Sequence, residues 1–291
     1  MTEHVISGLD ADQVDFFQDQ GYLLVEDAIP PSTFDLLVHE INGLIDGLAQ
    51  TALAEGKLTE TFAEAPFERR LALIDRALGY PEEHYGIFNG KLRTPGMFQI
   101  VTAPGLLDIV ESMIGPEILA HPQFNLRAKL PSMDKFVVPW HQDEGYLQPG
   151  AEETFMVNFW VPMVDATREN GTLEVIAGSH RAPLIQHEEG LGPAGNFKGL
   201  HDHQLPPGEQ VLCEIGVGGV VLLQKRTIHR SLPNTSQGIR WSLDLRYCDP
   251  AMPTGRDEVP GFVARSAANP ERIAASADEW NRVAGNQPVG R

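Results

Sequence analysis

The stretch GVVLLQKRTIHRSLPNTSQGIRWSLDLRY, residues 219–247, contains the clearest structural pattern in this chain. Residues 219–224 form an apolar run and residues 239–247 alternate between apolar and polar side chains, so each segment predicts a β-strand. Residues 232–238 between them are rich in Pro, Asn, Ser and Gly, which favour a turn. Further segments rich in Val, Phe, Trp, Ile and Leu lie at 135–140, 154–161 and 172–176. Together they predict an all-β core from about residue 121 to residue 250.

The first 120 residues follow a helical pattern instead. Asp10 and Gln13 have capping-box spacing at the start of one helix, and Gly21 ends that helix before a short strand at 22–25. A second helix is predicted from an N-cap at Ser32 to about Leu48, because its apolar residues recur at helical spacing. Two more are predicted at about 67–78 and 106–114, each followed by glycine. Helices in front of a β core indicate the α+β class, mainly β.

The composition restricts the possible partners. The chain has 291 residues and a formal net charge of −18, from 40 acidic and 22 basic residues. This negative field repels nucleic acids and anionic membranes, so we expect neither as a partner. No apolar run approaches the ~18 residues of a membrane span, and the N-terminus has no basic, apolar leader. We therefore expect a cytoplasmic protein, either a monomer or a homodimer.

His141 and Asp143 form the first candidate metal motif. They follow the apolar segment 135–140, and on a strand residues i and i+2 point to the same face. An imidazole and a carboxylate side by side supply two ligands of the 2-His-1-carboxylate triad that binds iron(II). The motif alone is weak, since a chance match is expected in a chain with ten histidines. Two further histidine motifs, at 187–189 and 201–203, lie in a Gly- and Pro-rich stretch, so we interpret them as solvated loop.

His229 is the candidate third ligand. Symmetric pairing about a turn centred near residues 234–235 puts His229 opposite Arg240, and directly opposed residues share a sheet face. The histidine and the guanidinium would then point into the same cavity. An arginine beside a metal is well placed to bind a carboxylate through two hydrogen bonds.

The order of these motifs resembles that of the phytanoyl-CoA dioxygenase family of iron(II)- and 2-oxoglutarate-dependent oxygenases, over most of the chain. The matching segments are VDFFQDQGYLLV at 14–25, WHQD at 140–143, NFWVPM at 158–163, ENGTL at 169–173, IAGSH at 176–180 and HRS at 229–231. In the family the distal histidine and the 2-oxoglutarate arginine lie eleven residues apart, as His229 and Arg240 do. The combined order is far more specific than any single motif.

The resemblance implies a single domain over residues 1–291. A helical buttress at about 1–120 would support a double-stranded β-helix (jelly roll, cupin-like) at about 121–250, followed by a C-terminal extension at 251–291. Iron(II) would be bound by His141, Asp143 and His229. Arg240 would bind the C5 carboxylate of 2-oxoglutarate, with Ser231 close to the same carboxylate.

A polar strand face upstream of the His-x-Asp motif is a further candidate for cosubstrate binding. Gln123 and Arg127 share that face with Asn125 and Lys129, because alternate residues of a strand point the same way. Such a face either is solvated or lines a polar cavity. The resemblance supports the cavity. His180 is interpreted as a structural residue at a strand end, and Trp140 and Trp160 as core aromatics or pocket walls.

The reaction implied by the resemblance is the oxidation of a small molecule, with 2-oxoglutarate and O₂ converted to succinate and CO₂. Asp143 favours hydroxylation or desaturation, since related halogenases have a small residue in its place. An acidic chain without an evident basic cluster argues against a CoA ester, so a small molecule or natural-product intermediate is expected. Two alternatives stay open: a jelly-roll metal enzyme that does not use 2-oxoglutarate (an isomerase, epimerase or other dioxygenase), and an inactive binding module.

Residues 190–208 form a long segment rich in Gly and Pro that we expect to lack regular structure. Since it connects segments expected to border the mouth of the barrel, we predict a mobile lid over the substrate. A surface insertion without a role is the alternative.

Overall fold

The structure is a computed structural model, which describes residues 6–256 and 260–285. Its α-helices are α1 (Ala11–Gln20), α2 (Asp35–Ala54), α3 (Phe67–Leu78), α4 (Glu82–Phe88), α5 (Pro95–Val101), α6 (Pro104–Ile114) and α7 (Ala277–Val283). Its strands are β1 (Tyr22–Val25), β2 (Asn89–Gly90), β3 (Ile118–Ala120), β4 (Asn125–Lys129), β5 (Val157–Pro162), β6 (Leu173–Ile176), β7 (Glu188–Leu191), β8 (Phe197–Gly199), β9 (Gln210–Cys213), β10 (Val220–Gln224), β11 (His229–Ser231), β12 (Arg240–Cys248) and β13 (Phe262–Arg265).

The N-terminal elements mostly follow the sequence pattern. The side chain of Asp10 accepts a hydrogen bond from Gln13 N at 2.8 Å, and the reciprocal bond completes the capping box of α1. Gly21 ends α1 with a φ of +78°. The predicted bounds of α3 are confirmed, and α6 begins two residues earlier than expected. The N-cap predicted at Ser32 is wrong, because the chain first forms a tighter 3-10 helix at Pro31–Phe34 and α2 begins after it.

α4 and α5 were not predicted from the sequence. Each has seven residues, about two turns, which is too short for a periodic apolar pattern. The stretch Pro95–Ile114, which comprises α5 and α6, has the length and mean hydropathy (1.3) of a membrane-spanning helix, contrary to our expectation. The chain divides it into two helices, and side chains such as Ile100 and Leu106 belong to the hydrophobic core.

The described strands pair antiparallel and form a large sheet, a small sheet and a hairpin. In the large sheet the order is β1-β10-β5-β12-β3-β13, with β4 pairing β12 and β2 pairing β4. The small sheet has the order β11-β6-β9, and β7 pairs with β8. The main core contains side chains from the helices and from the large sheet, including Trp241, which is stacked on Phe67 at 5.1 Å. The helices thus cover one face of the large sheet, and its other face is available to form a site.

Two strand predictions are wrong in ways that matter for the site. The segment 135–140 is not a strand; it begins with a 3-10 helix, Asp134–Phe136, and Pro139 has no N–H to donate to a neighbouring strand. The hairpin across residues 232–238 does not form either. β11 pairs with β6, so His229 lies opposite Val175, whereas Arg240 lies opposite Lys129 of β4.

The connection between β11 and β12 explains the missing hairpin. The side chain of Asn234 donates to Lys129 O and to Gly238 O, each at 2.8 Å. These bonds hold the connection against the large sheet, so the chain passes from one sheet to the other instead of folding back on β11.

The segment 190–208 is more regular than the sequence indicated. It contains the end of β7, all of β8 and a 3-10 helix at Asp202–Gln204. The hairpin is anchored to the segment that precedes the His-x-Asp motif: Leu200 N donates to Trp140 O at 2.7 Å, and the side chain of Asn196 donates to Lys135 O at 3.1 Å. The expectation of a structureless loop is therefore wrong, because backbone pairing between β7 and β8 compensates for the glycines.

Candidate active site

The structure brings together the three predicted metal ligands. One ligand atom from each of His141, Asp143 and His229 lies within 4.8 Å of the other two, and all three residues are buried. His141 and His229 are joined through their backbones, since each N–H donates to the other's carbonyl at 3.0 Å. Asp143 is not on a strand as predicted; it begins a 3-10 helix, Asp143–Tyr146. Gln142 between the two ligands is extended, with a φ of −112° and a ψ of 133°, so His141 and Asp143 keep the i, i+2 relation of an extended segment up to the start of this helix.

The tautomers of both histidines suit a metal. Nδ1 of His141 lies 2.9 Å from Pro139 O, and Nδ1 of His229 lies 2.9 Å from Thr227 O. A carbonyl oxygen can only accept, so each Nδ1 must carry the proton and each Nε2 must present a lone pair. Burial lowers the pKa of His141 to about 3, which keeps its imidazole neutral. Two neutral imidazoles oriented by backbone carbonyls, with a carboxylate beside them, form a donor set that fits iron(II).

Arg246 and Asn158 fix the carboxylate of Asp143. Arg246 Nη2 donates to Oδ1 at 2.8 Å, and Asn158 Nδ2 donates to Oδ2 at 2.7 Å. The two residues lie directly opposite each other on β12 and β5. Burial, the largest single effect, would raise the pKa of Asp143, but Arg246 together with the neighbouring His229 and His141 lowers it further and holds that pKa below its usual range. The sequence analysis missed both residues, although Arg246 continues the polar alternation that begins at Arg240.

The residues on either side of Asp143 form hydrogen bonds with residues outside the metal-binding group. Gln142 N donates to His187 Nε2 at 2.9 Å, and Arg226 Nη2 donates to Glu144 Oε1 at 3.0 Å. His187 is buried. Its interpretation as part of a solvated loop is therefore wrong, because its ring packs against the ligand-bearing segment at Gly145. It is not part of the metal-binding group.

A pair of buried cations lies on the large sheet near the triad. Arg240 and Lys129 are directly opposed on β12 and β4, and they are 4% and 3% exposed. Burial lowers the pKa of Arg240 to about 10, and it lowers the pKa of Lys129 well below its usual value. Among the described residues, neither cation forms an ion pair. Two buried cations without a counter-ion favour the binding of an anion.

The hydrogen-bond partners of the cation pair are neutral groups. Lys129 Nζ donates to Ser231 Oγ at 2.6 Å, and Ser231 Oγ also accepts from Val138 N at 3.0 Å. Arg240 donates to Ser242 Oγ and to Gly171 O, while its buried Nε has no partner among the described residues. The guanidinium lies over the ring of Trp160, 5.0 Å from its centroid. This environment fits one carboxylate of 2-oxoglutarate, as expected for Arg240 and Ser231. The structure adds Lys129 as a third residue that could bind this carboxylate.

One cavity of about 260 Å³ connects the triad with the cation pair. Gln123 and Arg127 also line this cavity, but each of them forms a hydrogen bond with another protein side chain. Arg127 Nε donates to Asp244 Oδ2 at 2.8 Å, and Gln123 Oε1 accepts from Arg256 Nε at 3.4 Å. The strand face is therefore a cavity wall, as the resemblance implied, while contact of Gln123 and Arg127 with the cosubstrate stays a prediction.

The remaining aromatic and histidine candidates lie in different surroundings. Trp160 lines the cavity, whereas Trp140 packs under Arg230, 4.4 Å from its ring centroid. His180 lies beside Gly21, and its Nε2 is 3.0 Å from Gln18 O, which agrees with a structural role. His201 and His203 stack on each other with ring centroids 5.4 Å apart, away from the metal-binding group.

Comparisons with known proteins agree with this geometry. The sequence profile of the phytanoyl-CoA dioxygenase (PhyH) family matches residues 17–242. A probable phytanoyl-CoA dioxygenase of Caenorhabditis elegans is 24% identical over 256 residues, which cover 83% of this chain and 76% of the relative.

Two solved structures share the fold. The non-heme monooxygenase ThoJ, in its apo form, superimposes with a TM-score of 0.60 at 22% identity, over 88% of this chain and 84% of its own. EctD from S. alaskensis, solved with 2-oxoglutarate and 5-hydroxyectoine, has a TM-score of 0.57 at 18% identity, over 86% of this chain and 81% of its own. At these identities the two structures establish similarity of fold only.

Proposed function

Because the chain belongs to the phytanoyl-CoA dioxygenase family and is an iron(II)- and 2-oxoglutarate-dependent dioxygenase, we propose that it hydroxylates a small organic molecule. In the proposed reaction R–H, O₂ and 2-oxoglutarate give R–OH, succinate and CO₂. The large and small sheets would then be the two halves of a jelly roll with the cavity between them, since β4, β5 and β12 line it from one sheet and β6 and β11 from the other.

The observation that carries the proposal is the presence of two complementary binding groups in one cavity. The triad presents two Nε2 lone pairs and an ionised carboxylate, which is the donor set of a facial iron(II) site with open positions. The pair of Arg240 and Lys129 offers buried positive charge without a protein counter-ion. A dianion that chelates the metal at one end and carries a carboxylate at the other satisfies both groups.

Each residue has a definable task in this reaction. His141, Asp143 and His229 would hold the metal, and Arg246 would keep Asp143 ionised and oriented. Arg240 would bind the distal carboxylate and so orient 2-oxoglutarate. When bound, iron(II) and 2-oxoglutarate supply the electrons that activate O₂ for oxidation of a C–H bond.

The residues that cover the cavity would exclude water. Trp160 lies on one side, and Phe197 of the β7–β8 hairpin lies on another. Exclusion of water by these side chains would prevent side reactions at the metal site.

Of the two alternatives, neither explains the whole site. A metal enzyme that does not use 2-oxoglutarate has no use for buried Arg240 and Lys129. An inactive binding module has no reason to keep three ligands with both histidines in the metal-binding tautomer. Desaturation of the substrate uses the same residues and is the second candidate outcome.

A substrate-free experiment tests the proposal. Anaerobic addition of iron(II) and then 2-oxoglutarate to the apoprotein should give a weak metal-to-ligand charge-transfer band in the visible. His229→Ala, which removes a candidate metal ligand, serves as the matched variant and should give no band. If wild type binds iron(II) and yet shows no band and forms no succinate in air, the use of 2-oxoglutarate is refuted.

A further inference from the structure

The wall of the same cavity also carries an ion pair between Arg127 and Asp244, which has no task in the proposed reaction. Arg127 Nε donates to Asp244 Oδ2 at 2.8 Å, and both residues line the cavity. Unlike Arg240 and Lys129, they remain accessible: the side chain of Arg127 is 39% exposed and that of Asp244 is 24% exposed. Oδ1 of Asp244 has no partner among the described residues. The carboxylate thus presents an acceptor to whatever enters the cavity.

The register of β12 places this acceptor next to the reacting centre. Arg240, Asp244 and Arg246 lie on one face of the strand, since they differ by even numbers of residues. Alternate residues of a strand are about 6–7 Å apart. Asp244 is therefore one such step from Arg246, which binds the candidate iron ligand Asp143, and two steps from the cosubstrate arginine. A small molecule held by Asp244 would lie within reach of the triad.

The surroundings of the pair are polar as well. Asn125 lies directly opposite Asp244 on β4, and both Asn125 and Gln123 line the cavity. An alkyl chain placed against the ion pair would remove its charged groups from water without offering them a hydrogen bond, which is unfavourable. The cavity measures about 260 Å³, below the usual range of about 300–1,000 Å³ for ligand pockets, and it must also hold 2-oxoglutarate.

We propose that the substrate is a small polar molecule with hydroxyl or amide groups, and that Asp244 and Arg127 bind it. Asp244 Oδ1 accepts a hydrogen bond from a hydroxyl or amide N–H, and the guanidinium of Arg127 donates to a neighbouring oxygen of the same molecule. Both residues determine specificity, because they place one polar end of the substrate while a C–H bond faces the triad. This inference rests on the proposed hydroxylation.

The test uses the iron-loaded enzyme with three probes: the aqueous methanol fraction of an extract from cells that encode the chain, the lipid fraction of that extract, and phytanoyl-CoA. Succinate formed above the rate without a probe measures substrate-dependent turnover. We expect stimulation by the aqueous fraction only. Asp244→Leu should reduce that stimulation roughly 10- to 100-fold, the effect of losing one hydrogen bond to a charged group. Asp244→Asn keeps an acceptor oxygen and should restore part of it.

Three results would overturn the inference: stimulation by the lipid fraction or by phytanoyl-CoA, stimulation by no probe, or stimulation that Asp244→Leu leaves unchanged. Each variant is first shown to give the anaerobic charge-transfer band and a wild-type Tm. A missing band in wild type refutes the proposed function, whereas a normal band with the wrong probe refutes only the substrate class.

Discussion

Replacing Arg240 with alanine should weaken the binding of 2-oxoglutarate by about two orders of magnitude. Arg240 is 4% exposed and forms no direct ion pair among the described residues, so the guanidinium would be the main partner of the distal carboxylate. Breaking a buried ion pair costs about 3–5 kcal/mol. We expect the lower end, about 3 kcal/mol, because Lys129 lies directly opposite and its Nζ still offers hydrogen-bond donors to the carboxylate.

A difference of 1.4 kcal/mol corresponds to a factor of about ten, so about 3 kcal/mol raises the Kd roughly 100-fold. The assay is an anaerobic titration of the iron(II)-loaded protein with 2-oxoglutarate, followed through the charge-transfer band. Arg240→Lys should recover only part of the affinity, since an ammonium lacks the planar, two-pronged geometry of the guanidinium.

Arg230→Ala is the matched control. Arg230 lies between His229 and Ser231, but its guanidinium pairs with Glu174 and covers the ring of Trp140. Its removal should leave the Kd for 2-oxoglutarate unchanged. If Arg240→Ala binds 2-oxoglutarate as tightly as Arg230→Ala does, the assignment of the cation pair to the cosubstrate is wrong.

Four further changes test other parts of the site. His229→Ala should abolish iron(II) binding, measured by metal analysis after desalting, while His203→Ala should keep it; equal iron content in both would exclude His229 as a ligand. Arg246→Leu should weaken metal binding about 10- to 100-fold in a Co(II) titration, because Asp143 loses its orienting partner. An unchanged Kd for Co(II) at a normal Tm would show that the hydrogen bond from Arg246 to Asp143 is dispensable for metal binding. Replacing residues 196–201 with a Gly/Ser linker should keep the charge-transfer band but form succinate without matching product, since Phe197 covers the cavity; matched yields at the wild-type rate would rule out a lid. Gly21→Ala should lower stability by more than ~1 kcal/mol, read from Tm, because its Cβ would lie 2.2 Å from His180 Nδ1 at a φ of +78°; Gly56→Ala, at a φ of +71° in open space, is the control, and equal losses would contradict the steric argument.

Local sequence patterns predicted the elements and the chemistry of the site well. The capping box at Asp10 and the glycine after α3 fix helix ends through contacts within a few residues, so the sequence alone suffices there. The ligand types, their order and the spacing from His229 to Arg240 indicated the family and the cofactors. Family membership and the use of iron and 2-oxoglutarate are confirmed.

The sequence was less informative where two distant strands had to be paired. Alternation shows which residues of a strand share a face, but it does not show which strand lies beside it. We inferred a hairpin that put His229 opposite Arg240, and the structure instead places these residues in different sheets. Both still line one cavity, because that cavity is bounded by the two sheets.

The sequence by itself determined the candidates, namely His141, Asp143 and His229 as metal ligands and Arg240 as the cosubstrate residue, since the order and spacing of the motifs together are specific. Only the tertiary structure revealed the partners that make these residues work: Lys129 beside Arg240, Arg246 and Asn158 on Asp143, and Asp244 with Arg127. These pairs join residues up to 117 positions apart. Their proximity results from the packing of strands and from the burial of charge, which no local pattern encodes.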